Sequence, residues 1–258
     1  MSYALITGAS KGIGKAIAFE LASKNHHLLL IARSADLLKT VAKEITDSFD
    51  VKVDYLATDL SSLAGSQQVF DWCVSNNYTV NILINNAGYG LSGAFERYSI
   101  DENLNMMQLN MNTSVQLCQQ FIPMLKQQPK SYILNVASSA AYQAVPGLSL
   151  YAATKIFLLN FSRGLRQELK NSSVTVSTIC PGATDTDFSS RANVGAKALK
   201  TAEKVNMAPQ DVAKIAIDGM FKGKAEIVPG IINKLNVFAA WLLPKELLER
   251  MAMALYKE

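Results

Sequence analysis

Histidine is almost missing from this chain of 258 residues: His26 and His27 are the only two, and they are adjacent. No imidazole set is left for a metal centre, and no bound metal is expected. Cysteine is nearly as scarce. Cys73, Cys118 and Cys180 are widely spaced, which argues against a disulfide framework and for reduced thiols in the core. Charge is also thin. With 25 Lys and Arg against 21 Asp and Glu the net charge is +4, and no basic stripe with interleaved aromatics offers a nucleic-acid surface. No apolar run approaches the ~20 residues that span a bilayer. No signal peptide precedes Tyr3, so a cytoplasmic location is expected. Internal repeats and low-complexity linkers are lacking as well.

What is present is a regular alternation. Apolar runs at 3–7, 27–32, 52–57, 80–85, 131–137, 173–180 and 225–228 read as strands. Between them, 12–24, 34–48, 63–77, 101–127, 149–170 and 209–221 carry helical spacing. Strands alternating with helices predict an α/β fold with parallel pairing. The length suits one such domain over 1–258.

Directly after the first strand comes Thr7-Gly8-Ala9-Ser10-Lys11-Gly12-Ile13-Gly14. A strand-to-helix junction there aims unpaired N–H groups and the positive helix end at a pyrophosphate. Gly8, Gly12 and Gly14 allow the tight turn, the close approach of a ligand and the packing of helix on strand. The spacing is Gly-x3-Gly-x-Gly rather than the usual dinucleotide fingerprint. A nucleotide P-loop is excluded, because Ala9 and Ala16 stand where it needs Gly and Ser or Thr. Arg33 follows the second strand, where an acidic residue would select NAD; a cation there favours the 2′-phosphate of NADP. Lys11 adds a second positive group beside the turn. NADP(H) is therefore expected in preference to NAD(H).

Tyr151 and Lys155 project from one face of a long helix, and Ser138 follows the strand ending near Val136. A phenol of pKa ~10 exchanges protons poorly near neutrality. A nearby ammonium favours the phenolate and moves the pKa toward the working range. The Ser138 hydroxyl can donate to a carbonyl oxygen on which charge develops. Tyr-x3-Lys alone is a weak signal, met by chance on many helices.

Taken in order, the motifs carry more. The glycine turn is followed by Asp59-Leu60, Asn85-Asn86-Ala87-Gly88, Asn110, Ser138, Tyr151-Ala152-Ala153-Thr154-Lys155 and Pro181-Gly182. From about Tyr3 to about Ile231 the chain resembles the single-domain branch of the short-chain dehydrogenase/reductase family. The resemblance implies a Rossmann-type doubly wound parallel sheet, with seven strands in the order 3-2-1-4-5-6-7. It implies a catalytic tetrad of Asn110, Ser138, Tyr151 and Lys155, with Tyr151 as general acid or base and Lys155 also holding the nicotinamide ribose. Asn110 would position a water; Asn112 beside it and Ser139 beside Ser138 compete for assignment, and spacing favours Asn110 and Ser138. The implied dinucleotide contacts are Gly8, Ser10, Lys11, Gly12, Ile13, Gly14, Arg33, Asp59, Leu60, Asn86, Ala87, Gly88, Tyr151, Lys155, Pro181, Gly182, Thr184 and Thr186. Within that set Asp59 would meet the adenine, and Asn86 would steady the sheet. The implied activity is NADP-linked interconversion of a carbonyl and an alcohol on a small-molecule substrate. The implied assembly is a homodimer or homotetramer packed through 101–127 and 149–170. Two other classes stay open: a sensor or scaffold that binds NADP without chemistry, and a sugar-nucleotide epimerase, for which little sequence is left.

Two segments lie outside those motifs. Residues 184–207 interrupt the alternation and are expected to form a lid over the site. Residues 230–258 are apolar and helical, with Trp241, Leu242 and Leu243 before Pro244. They would cover a partner subunit or the substrate pocket, or lie on a membrane surface with Lys234, Lys245 and Arg250 near headgroups. Either use suits an apolar ketone or 3-oxoacyl substrate.

Overall fold

A computed structural model describes residues 1–186, 188, 192, 195, 199, 200 and 205–256. Seven strands form one parallel sheet: β1 (Ser2–Thr7), β2 (His27–Ala32), β3 (Val53–Ala57), β4 (Thr79–Asn85), β5 (Ser131–Val136), β6 (Val174–Ile179) and β7 (Glu226–Ile227). Their order is β3-β2-β1-β4-β5-β6-β7, as the resemblance implies. The flanking helices are α1 (Gly12–Ala22), α2 (Ala35–Ser48), α3 (Gly65–Ser75), α4 (Ile100–Met107), α5 (Thr113–Lys126), α6 (Ser149–Glu168) and α7 (Pro209–Phe221). Two more, α8 (Ile231–Leu242) and α9 (Lys245–Tyr256), end the described chain.

The sheet is buried on both faces, which is why its strands are apolar runs rather than alternating ones. Side-chain alternation splits β1 and β2 between two cores. Ala4, Ile6, Leu28 and Leu30 pack with α1, α2 and α7, whereas Tyr3, Leu5, Leu29 and Ile31 pack with α3, α5 and α6. All three cysteines are free and buried. Burial pushes each thiol up to about 12, so all are protonated and unreactive near neutrality.

Strand order reverses between β1, which pairs with β2 on one side, and β4 on the other. Such a switch point opens a crevice at the carboxyl ends of the strands. The loops after β1, β4, β5 and β6 meet there.

One expected helix differs. The stretch 101–127 is broken by a π-helical turn, Gln108–Asn112, between α4 and α5. The Thr113 N–H closes that turn by donating to the Gln108 carbonyl, and the Thr113 hydroxyl donates to the Leu60 carbonyl at 2.7 Å. One extra residue per turn rotates Asn110 inward, a device common at functional sites. Among the described residues no helix is long and apolar enough to cross a membrane.

Candidate active site

The glycine turn lies in the crevice. Gly8 and Gly12 have φ of +66° and +54°, which side chains rarely adopt. A methyl on Gly14 would lie 2.2 Å from the Gly8 carbonyl oxygen, so the strand–helix junction closes only with glycine there. Lys11 is the N-cap of α1 and makes no side-chain cap, and the first turn holds no acidic residue. Those N–H groups and the positive helix end therefore suit an anion. Ser10 is half-buried in the turn, and Ile13 packs back onto the core. This cradle fits a dinucleotide pyrophosphate.

The loop after β4 joins that cradle to the tetrad. Thr7 accepts at Oγ1 from the N–H groups of Asn86 and Ala87, at 2.9 and 3.0 Å. Asn86 Nδ2 donates to the carbonyls of Thr7 and Gly8. Two residues on, a methyl at Gly88 would lie 2.9 Å from Asn110 Oδ1 and 3.5 Å from Lys155 Nζ. At Gly90 it would lie 3.3 Å from the Tyr151 ring. Residues 86–90 thus run unbroken from the glycine turn to the tyrosine.

Lys155 is 5% exposed. Its ammonium donates to the Val136 carbonyl at 2.9 Å and stands 5.7 Å from the centroid of the Tyr151 ring. Burial lowers its pKa to about 8, so at neutral pH it is still mostly charged. Tyr151 is 7% exposed, and Phe188 covers its ring at a centroid distance of 5.2 Å. Asn110, 1% exposed, bonds Tyr89 through both atoms of its amide and also donates to Thr154 Oγ1 at 3.1 Å. Asn112 is exposed and bonds only within its own turn, to Gln108; it is not the residue at the site.

Ser138 caps a 3-10 helix, Ser139–Tyr142, accepting at Oγ from the Ala140 N–H at 3.1 Å. That helix is tied down at its far end, where the Tyr142 hydroxyl donates to Glu226, itself paired with Arg163 at 2.6 Å. Ser139 points its N–H to the Pro181 carbonyl at 2.7 Å.

The remaining predicted residues ring the crevice. Arg33 is exposed at the end of β2. Asp59 accepts at Oδ1 from the N–H and hydroxyl of Ser61, and Leu60 is buried. Gly182 faces α8, where its methyl would lie 2.1 Å from Asn233 Oδ1. Thr184 pairs with Met207 in an isolated bridge. A methyl on Gly12 would lie 3.1 Å from Thr186 Cγ2, so Thr186 closes the crevice opposite the glycine turn. Much of the expected lid, at 187, 189–191, 193, 194, 196–198 and 201–204, lies outside the described residues. Of the remainder, Ala192 accepts from the Ser92 N–H at 2.9 Å.

Sequence reasoning gave no role to Thr7, Thr154, Tyr142, Glu226 or Asn233. Thr7 and Thr154 sit inside the quoted motifs, where their positions were the available signal. Tyr142, Glu226 and Asn233 meet their partners only in three dimensions.

Comparison with known proteins agrees with the geometry. The short chain dehydrogenase profile matches residues 2–197. Over 220 residues the chain is 31% identical to the NADP-dependent 3-hydroxy acid dehydrogenase of Schizosaccharomyces pombe, covering 83% of this chain and 84% of that protein. Among solved structures, the short-chain dehydrogenase from Sphingobium yanoikuyae in complex with NADPH is 29% identical. Its TM-score is 0.83, over 99% of this chain and 94% of that one. The bulky-bulky ketone specific alcohol dehydrogenase from Comamonas testosteroni is 27% identical with TM-score 0.77, over 94% and 93%. With its sheet order, crevice and motifs in place, the chain belongs to the short-chain dehydrogenase family, a family of oxidoreductases.

Proposed function

We propose that the protein interconverts a carbonyl and an alcohol with NADP(H), using Tyr151 as its proton-transfer group. The observation that carries this reading is the single loop, residues 86–90, which touches the glycine turn at one end and Asn110, Lys155 and Tyr151 at the other. A bound nicotinamide supplies or accepts a hydride at its C4.

The chain's own residues do the rest. In reduction the Tyr151 hydroxyl gives its proton to the substrate oxygen, while the Ser138 hydroxyl donates a hydrogen bond to the same atom. The buried Lys155 ammonium stabilises the phenolate left behind, more strongly than it would in water because the site is desolvated. Asn110 fixes the loop that lies against Lys155. The turn at Gly8, Gly12 and Gly14 receives the pyrophosphate, and Arg33 with Lys11 receives the 2′-phosphate. The NADP-linked relative and the NADPH-bound neighbour support that preference.

An apolar substrate fits the walls. A cavity of about 330 Å³ is lined by Leu91, Phe95, Met106, Leu150 and Met253 among others, and among the described residues no charged side chain lines it. Leu91, Met106 and Leu150 pack in the same cluster as Tyr151. The test is a panel of aliphatic ketones, aldehydes and 3-oxoacyl thioesters with NADPH consumption as readout. Turnover of an apolar carbonyl is expected. Tight NADPH binding with no consumption on any of them would favour a binding protein instead.

A further inference from the structure

Ser138 heads a very short element. The 3-10 helix Ser139–Tyr142 has four residues, too few to hold a direction of its own, so its two ends decide where the Ser138 hydroxyl stands. At the first end Ser139 donates its N–H to the Pro181 carbonyl at 2.7 Å, and Ser138 Oγ accepts from the Ala140 N–H at 3.1 Å. That acceptance uses a lone pair of Oγ and not its hydrogen, which stays available to a substrate oxygen. At the far end the Tyr142 hydroxyl donates to Glu226 Oε1, and Glu226 Oε2 accepts from Arg163 at 2.6 Å.

Arg163 closes a ring. It lies on α6, the helix that carries Tyr151 and Lys155, about 12 Å along the axis from the lysine at ~1.5 Å per residue. The path from Ser138 therefore runs through Tyr142, Glu226 and Arg163 back to the helix of the general acid. We propose that these three residues form a positioning clamp that sets the Ser138 hydroxyl against the Tyr151 phenol, a role that rests on the proposed reaction, in which both hydroxyls meet one substrate oxygen. Two donors converging on one atom tolerate little error, since a shift of about 1 Å can cost on the order of 10²-fold in rate.

The contacts around the clamp favour this use over simple support. β7, which bears Glu226, is already held to β6: the Thr178 N–H donates to the Ala225 carbonyl at 2.9 Å and the Cys180 N–H to the Ile227 carbonyl at 2.8 Å. The Tyr142 ring is half-buried and packs with Ala137, Ala141, Leu159 and Cys180, contacts that need no hydroxyl. Burial holds the phenol's pKa well above its ordinary range, and Cys180 and Glu226 act in the same direction, so the group remains a donor. One carboxylate oxygen faces the serine turn and the other faces α6, so Glu226 couples those two elements rather than capping either alone.

A double-mutant cycle on the full chain, with NADPH and a ketone that the wild type reduces, tests the clamp. Tyr142→Phe keeps the ring and removes only the hydroxyl. Because Ser138 acts on charge that develops in the transition state, kcat should fall about tenfold while KM and NADPH affinity stay within about twofold. In a Ser138→Ala background the same substitution should change kcat by less than about twofold, since no hydroxyl is left to aim. Should Tyr142→Phe fail to fold, Arg163→Met at the exposed outer end takes its place, with a fall of about threefold that likewise vanishes without Ser138. Full kcat in the clamp variant, a loss confined to KM, or a fall that persists undiminished beside Ser138→Ala overturns the clamp and leaves the proposed reaction standing. A wild type that turns over no carbonyl overturns both.

Discussion

Asn110 grips the main chain of Tyr89 at both its polar groups: Oδ1 accepts from the N–H at 3.1 Å and Nδ2 donates to the carbonyl at 2.9 Å. The grip depends on the π-helical turn that rotates Asn110 out of the helical register, and it holds the loop that separates the glycine turn from Tyr151. Asn110→Ala leaves two backbone groups without partners at a cost of about 1–3 kcal/mol. A lower melting temperature and at least a tenfold fall in kcat/KM are expected from thermal melts and steady-state assays. Full activity in a destabilised variant would separate the loop from the chemistry.

Lys155 is buried with its pKa lowered to about 8 from an ordinary value near 10.5. Desolvating its charge therefore costs the fold stability below pH about 8, and that cost fades as pH rises toward about 10.4, where both folded and unfolded chains lose the proton. Lys155→Met removes the charge. Its stability relative to wild type should be most favourable at pH 7 and should decline, by on the order of a few kcal/mol, as pH approaches 10.4. Urea unfolding at the two pH values measures this; a pH-independent difference would contradict it. The variant should be catalytically dead at both.

Glycine matters at some positions and not others. Gly14→Ala places a methyl 2.2 Å from the Gly8 carbonyl oxygen, so the variant should lose NADPH binding or fail to fold. Gly164, within α6, has nothing within 4 Å of an added methyl. Gly164→Ala should stabilise the protein by about 0.5–1 kcal/mol through helix propensity. Calorimetry and fluorescence titration with NADPH check the pair.

These contrasts bear on what the sequence makes legible. The strands and their parallel pairing were readable because buried parallel strands are apolar runs, the sheet order came with the family resemblance, and residues 8–14 and 151–155 are local patterns whose geometry follows from one turn or one helix. The π-helical turn at 108–112 was not, because no glycine or proline marks it; the Thr113 N–H bonds back to Gln108 while its hydroxyl is anchored on Leu60, 53 residues away in sequence. The hold of Tyr142 on Glu226 joins residues 84 apart in sequence, and composition carries no trace of it. The apolar content of 231–256 was plain in the sequence, but its direction was not. The packing of Asn233 against Gly182, with Ala240 beside the cavity that Tyr142 and Ile156 line, fixes which side of α8 faces out.

In the proposed reading, cofactor choice turns on Arg33. Arg33→Asp replaces a phosphate-binding fork with a carboxylate that repels the 2′-phosphate and can bind the ribose hydroxyls. The NADPH-to-NADH ratio of kcat/KM should fall by at least 10²-fold. A wild-type enzyme that already prefers NADH would overturn the assignment.

In the proposed reaction the Tyr151 phenol is the group that moves the proton. Tyr151→Phe removes one oxygen and leaves the ring, its contact with Phe188 and the neighbouring Lys155 in place. Paired measurements of NADPH affinity and turnover on this variant are the most direct test. The prediction is an NADPH dissociation constant within about threefold of wild type and a kcat lower by about 10²–10⁴. A variant that keeps most of its turnover would contradict it.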